Sequence, residues 1–142
     1  ALIVYDVNLR QNFYNREIIG KSLQLCNVLK LNEDELPVVC DLFGITAESE
    51  DDQIYSLIKS YNLKLVAFTQ GGEGSLLMTP NEKSYMQTPK VEVKDTVGAG
   101  DSFTAVMIMG FAKGNSLREI HQKAVGISAF VCTQNGAMPE YN

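Results

Sequence analysis

Basic residues are in short supply in this chain: 12 Lys and Arg stand against 17 Asp and Glu, for a net charge of −5 and a pI near 4.8. That balance excludes a general nucleic-acid or membrane-surface role, which needs basic patches that release counterions. Cysteine occurs three times, as Cys26, Cys40 and Cys132, in apolar contexts and without C-x-x-C spacing. The odd, scattered set argues against a disulfide framework or a zinc site, and for reduced, buried thiols in a cytosolic protein. Histidine occurs once, as His121. It falls off the apolar stripe of the last helical segment and is expected to be solvated and not catalytic. No apolar run reaches membrane-spanning length, and no signal peptide opens the chain. Internal repeats and low-complexity linkers are also missing.

What is present suits one compact domain over residues 1–142, with 45% hydrophobic residues to fill a core. Apolar runs at Leu2 to Val7, Val28 to Leu31 and Leu65 to Thr69 read as strands covered on both faces. An opening such as Ala1-Leu2-Ile3-Val4-Tyr5 reads as a strand already inside a domain, so the chain is expected to be a piece of a longer protein. Phe13 to Cys26 reads as a helix with Ile18, Ser22 and Leu25 on one side. A second helix follows Asn32-Glu33-Asp34-Glu35 to about Leu42, with Pro37 tolerated in its first turn. A third, opened by the acidic run Ala47 to Asp51, carries the stripe Ile54, Leu57, Ile58 and Tyr61. Ser75 to Thr79 and Ser84 to Thr88 flank Pro80-Asn81-Glu82 as a hairpin. Phe103 to Phe111 is apolar nearly all round and predicts a buried helix. Ser116 and Glu119 form a capping box for a last helix with the stripe Leu117, Ile120, Ala124, Ile127 and Val131, ending near Asn135-Gly136. Strands alternating with helices predict an α/β fold, a three-layer αβα sandwich with a mostly parallel sheet.

The chemistry gathers at Asp95-Thr96-Val97-Gly98-Ala99-Gly100-Asp101. A short strand pattern, Val91 to Val93, enters this stretch, and the apolar helix leaves it. A strand, a glycine turn and a helix in that order aim several backbone N–H groups at one point, where the positive end of the helix dipole lies. Gly98 and Gly100 let an anion approach without meeting a Cβ. Asp101 places a carboxylate, a proton acceptor, beside that site. An anion hole next to a base suggests phosphoryl transfer to a hydroxyl. The competing reading is a tight turn followed by an aspartate that stabilises a helix N-terminus. Two nucleotide motifs fail. Gly20-Lys21-Ser22 has Asn15 where a Walker A motif needs glycine, and a dinucleotide fingerprint would need glycine at Phe103.

The run DTVGAGDSFTA closely resembles the C-terminal signature of the PfkB, or ribokinase-like, carbohydrate kinases. Three further pieces stand in that family's order: D-x-N-x-R at Asp6, Asn8 and Arg10, N-x-x-E at Asn32 and Glu35, and T-x-G-x-x-G at Thr69, Gly71 and Gly74. The resemblance covers nearly the whole chain but only the second half of the family, whose N-terminal half is expected to be missing here. It implies that Asp101 is the catalytic base and that Gly98, Ala99 and Gly100 form the anion hole. It implies that Thr69, Gly71, Gly74 and Asn32 bind ATP, and that Asn32 and Glu35 order Mg²⁺ through water. Asn8 and Arg10 would meet the substrate or a phosphate. Asp95 and Val97, with carbonyls near Val131, Gln134 and Gly136, match the positions where some members bind a monovalent cation such as K⁺. Val125 aligns with a polar residue of the adenine pocket and cannot hydrogen-bond the base. Each has a plainer reading: a βα or β-hairpin turn needing positive φ over Thr69 to Gly74, first-turn acids at Glu33 to Glu35, a surface ion pair at Arg10.

The expected function is transfer of the ATP γ-phosphate to a hydroxyl of a small sugar. Fructose comes first, then ribose, ketodeoxygluconate or a nucleoside. The partners expected are sugar and ATP only, in a cytoplasmic protein whose full length forms a homodimer. The piece alone is expected to have little activity. The alternatives are a non-catalytic nucleotide-binding module and an interaction domain without a ligand.

Overall fold

Three parallel strands and a hairpin share one sheet in the computed structural model, which describes residues 2–9, 15–89 and 99–133. The chain divides into two compact units, Ala1–Tyr85 and Met86–Asn142. The first holds β1 (Val4–Asp6), α1 (Arg16–Leu25), β2 (Val28–Asn32), α2 (Glu35–Leu42), α3 (Glu50–Tyr61), β3 (Leu65–Thr69) and β4 (Gly74–Met78), and the division falls within β5 (Lys83–Gln87). Strand order is β1-β2-β3-β4-β5. Val4 lies opposite Val28 and Val28 opposite Leu65 in parallel register, whereas Thr69 lies opposite Ser75 in an antiparallel pair. The fold is α/β as expected, with a sheet that is mixed: parallel through β3 and antiparallel from β3 to β4.

The runs of β2 and β3 became strands covered on both faces, whereas β1 departs from that expectation: Val4 and Asp6 are exposed because β1 lies at the edge of the sheet among the described residues. Leu29, Leu31, Val66 and Phe68 share one core with Ile19 and Leu23 of α1, Leu36 and Val39 of α2, and Ile54, Leu57 and Ile58 of α3. Local chemistry sets the helix ends. The Asn15 side chain accepts a hydrogen bond from the Ile18 amide, opening α1. Ser49 accepts from the Asp52 amide, opening α3, and Asn62 closes α3 at φ 54°. The Thr79 hydroxyl accepts from the amides of Asn81 and Glu82 in the β4–β5 turn. One helix face differs from expectation. Ile18 and Leu25 are 54% and 68% exposed, and α1 buries Ile19, Leu23 and Cys26 instead. Both sets are spaced for one helix face, and the sheet selects the second.

The second unit holds α4 (Ala99–Ala112) and α5 (Leu117–Cys132), joined through Gly114 at φ 78°. Phe103, Met107 and Gly110 are buried on α4; Leu117, Ile120, His121, Ala124 and Val125 are buried on α5. The Ser116 hydroxyl accepts from the Glu119 amide, while the Glu119 carboxylate turns to Lys123 at 3.2 Å, so half of the expected capping box forms. Two expectations are corrected. Helix α4 is not buried all round: Met109 is 59% exposed, because α5 covers a single stripe. His121 is not solvated. It is fully buried, edge-on to the Phe103 ring at 6.3 Å, because it shares the helix face of Leu117 and Val125. The strand pattern at residues 91–93 and the expected helix stop near Asn135-Gly136 fall outside the described residues; α5 ends at Cys132. Among the described residues, no helix is long and apolar enough to cross a membrane.

Candidate active site

Parallel strands end on one edge of their sheet, and in open α/β sheets that edge carries ligand groups. In the first unit, β1, β2 and β3 all end there, and hydrogen bonds tie the three ends together. Asp6, the last residue of β1, faces Lys30 of β2 across the sheet, with Oδ2 and Nζ 3.4 Å apart. The Val7 amide donates to the Lys30 carbonyl at 3.0 Å. The chain then turns at Asn8, whose φ of 38° lies in the left-handed region that asparagine tolerates better than most residues. The next amide, that of Leu9, donates to Oε2 of Glu35 at 2.9 Å.

Glu35 is buried, with 5% exposure. Its other oxygen, Oε1, accepts from the Asn32 amide at 2.9 Å. In return the Asn32 side-chain oxygen accepts from the amides of Asp34 and Glu35, each at 2.9 Å. The N-x-x-E pair therefore bonds reciprocally across the turn that leads from β2 into α2. The Glu33 amide donates to the Thr69 carbonyl at 3.1 Å, joining this loop to the end of β3. Thr69 leads into a turn closed by the Gln70 amide on the Gly74 carbonyl, with Gly71 at φ 58°. A side chain at Gly71 would be strained there, which accounts for glycine on local grounds. The structure thus brings Asn8, Asn32, Glu35, Thr69, Gly71 and Gly74 to one rim of the first unit.

This donor set bears on a metal. Among the described residues, no group of three or more His, Cys, Asp or Glu is placed to hold an ion. Both Glu35 oxygens already accept amides, and the Asn32 oxygen accepts two. These residues suit Mg²⁺ held through water, since Mg²⁺ retains several waters and takes few carboxylates, and do not suit a direct cage. Sequence reasoning missed Lys30, a cation largely sunk between apolar neighbours in β2 and paired with Asp6. Its signal was present: a lysine inside a strand that otherwise reads as fully buried.

In the second unit Asp101 lies exposed in the first turn of α4, after Gly100, which is also exposed. An α-helix leaves its first N–H groups without intrahelical partners, which is the general geometry of an anion site. The Thr104 hydroxyl donates to the Gly100 carbonyl at 2.9 Å, bracing the turn from within. Ala99 opens the helix. Gly98, Arg10, Asp95, Val97, Gln134 and Gly136 lie outside the described residues. Val125 is buried, as an apolar residue would be. A cavity of about 290 Å³ between α3 and the β4–β5 turn is lined by residues such as Asp51, Tyr55 and Lys83, and by none of the candidate residues.

Comparison with known proteins agrees with the motif order. The family model of the pfkB family carbohydrate kinases matches residues 2–141. An aminoimidazole riboside kinase of Salmonella typhimurium is 29% identical over 96% of this chain and 44% of its own length. A fructokinase of Escherichia coli is 27% identical over 97% of this chain and 47% of its own. The crystal structure of a ribokinase from Thermotoga maritima superposes with a TM-score of 0.74 at 27% identity, over 96% of this chain and 44% of that one. The chain spans less than half the length of these relatives, and their acceptors differ. With residues 2–141 matched by the family model and its fold shared, this chain belongs to the pfkB family of carbohydrate kinases.

Proposed function

We propose that the protein containing this chain transfers the γ-phosphate of ATP to a hydroxyl of a small sugar, with fructose the first acceptor to test. The observation that carries this reading is the exposed Asp101 in the first turn of α4, directly after Gly100. Asp101 takes the proton of the acceptor hydroxyl as that oxygen bonds to the γ-phosphorus. The bond from phosphorus to the bridging oxygen breaks, and ADP leaves. The amides of Gly98, Ala99 and Gly100 stabilise the charge on the transferring group. Thr69, Gly71, Gly74 and Asn32 serve the nucleotide, and Asn8 and Arg10 serve the acceptor or its phosphate. Mg²⁺, when bound through water near Asn32 and Glu35, supplies charge neutralisation for the phosphates. K⁺ beside Asp95 and the Val97 carbonyl belongs to the same proposal, as do a cytoplasmic setting and a full-length homodimer.

The test is a panel of acceptors, namely fructose, ribose, ketodeoxygluconate and nucleosides, assayed with full-length protein and MgATP. Phosphorylation of fructose at the highest kcat/KM supports the reading as stated. Preference for another acceptor keeps the kinase and replaces the sugar. Absence of transfer to every acceptor, with ATP still bound, would leave a nucleotide-binding module in its place.

A further inference from the structure

Glu35 does more on this rim than start a helix. Its carboxylate reaches across 26 positions of sequence to accept the Leu9 amide, while also accepting the Asn32 amide. Leu9 lies between Asn8 and Arg10, the two residues assigned to the acceptor. Asn8 itself holds a left-handed backbone, which turns the chain at the end of β1. The neighbouring bonds on β1 stop at Val7, whose amide goes to the Lys30 carbonyl. Beyond that point, the Leu9–Glu35 bond is what fixes the loop to the sheet among the described residues. The acceptor is buried and the bond is 2.9 Å long, so losing it would leave a backbone amide in need of another partner.

We infer that Glu35 is a positioning residue for the phosphoryl acceptor: it clamps the turn carrying Asn8 through the Leu9 amide and sets that turn against Asn32. The inference rests on the kinase reading above and adds an acceptor-side role to a residue otherwise assigned to Mg²⁺. The clamp needs two features together. The carboxylate must offer one oxygen to each amide, and the side chain must be long enough to span from α2 to the end of β1. Aspartate keeps the charge and loses the reach.

Two changes in the full-length protein test this. Glu35→Asp retains a carboxylate for water around Mg²⁺ but falls short of Leu9. Replacing Leu9 by its α-hydroxy acid analogue removes only the amide donor and leaves Glu35 untouched. Both are expected to lower kcat/KM for the acceptor by about 10- to 100-fold through misplacement of the loop. In the Leu9 ester, which leaves Glu35 and Asn32 intact, the KM for ATP should stay unchanged, as should the Mg²⁺ concentration giving half-maximal rate. In Glu35→Asp, amide exchange at Leu9 should also accelerate. The assignment is overturned if the Leu9 ester leaves acceptor kcat/KM at the wild-type value, or if its effect falls on Mg²⁺ or ATP instead. It is equally overturned if Glu35→Asp restores normal acceptor kinetics. Should Glu35→Asp fail to fold, the ester variant still decides the matter. A wild-type protein that transfers no phosphate would defeat the functional reading and this assignment together; an active wild type with a silent ester would defeat this assignment alone.

Discussion

At the scale of single residues, position and exposure divide the carboxylates into two kinds. Asp101 is exposed in a helix first turn, where the proposed reaction needs a proton acceptor. Glu35 is buried with both oxygens committed to amides, placed to hold backbone. Asp101→Asn in the full-length protein is therefore expected to lower kcat by about 10²- to 10⁴-fold, with ATP affinity nearly unchanged. Steady-state kinetics with parallel nucleotide titration would check this, and a near-normal kcat would remove Asp101 from the base role. The thiols divide in the same way. Burial pushes the Cys26 and Cys40 thiols above their usual range, with the Cys26 backbone bond opposing in part. Cys132 is half-exposed. At about pH 8, near the ordinary thiol pKa, one thiol should react rapidly with an aromatic disulfide reagent and two slowly. Above the unfolded thiol pKa the unfolded chain releases protons that the folded chain keeps. Stability should consequently be unaffected by these groups below that range and fall as pH rises through it. Chemical denaturation at a series of alkaline pH values would show it, and a rise in stability there would contradict the assignment.

At the scale of elements, two glycines in neighbouring helices predict opposite outcomes. A Cβ at Gly110 of α4 would lie 2.9 Å from Cγ1 of the buried Ile120 of α5. Gly110→Ala gains about 0.5–1 kcal/mol from helix propensity. It loses about 1–3 kcal/mol to overpacking against a side chain with nowhere to go. The net should be destabilising. A Cβ at Gly126 of α5 meets nothing within 4 Å, so Gly126→Ala should stabilise by about 0.5–1 kcal/mol. Thermal unfolding of both variants tests the pair, and a stabilising Gly110→Ala would mean that the helices do not approach closely there. Element scale is also where sequence patterning worked best and failed most plainly. The α3 stripe was legible because Ile54, Leu57 and Ile58 leave no rival face. The α1 face was not, because Ile18 with Leu25 and Ile19 with Leu23 compete and only the sheet decides.

At the scale of the molecule, the chain presents one end of a sheet and spans 44% to 47% of the length of its relatives. Among the described residues β1 is an edge strand with Val4 exposed, beside exposed Ile3 and, on α1, Ile18 and Leu25. An edge of parallel strand with apolar side chains invites pairing. The isolated chain is expected to associate as its concentration rises, and Val4→Lys should reduce that association. Sedimentation would read both, and an unchanged monomer across the range would count against the edge as the cause. The isolated chain is also expected to phosphorylate little or no fructose. Efficient ATP-dependent turnover by the chain alone would place the whole acceptor site within it.

The order of elements, the caps at Asn15, Ser49 and Ser116, the α/β class and the four family motifs were all determined by residues near one another in sequence. Turn, cap and apolar-run signals act over a few positions, so they survive without knowledge of neighbours. Tertiary structure alone decided that Glu35 holds Leu9, that Asp6 faces Lys30, and that His121 lies buried against Phe103. A side chain's partner and its exposure depend on which distant segment covers it. That choice is made by burying the whole core at once, and no local pattern encodes it.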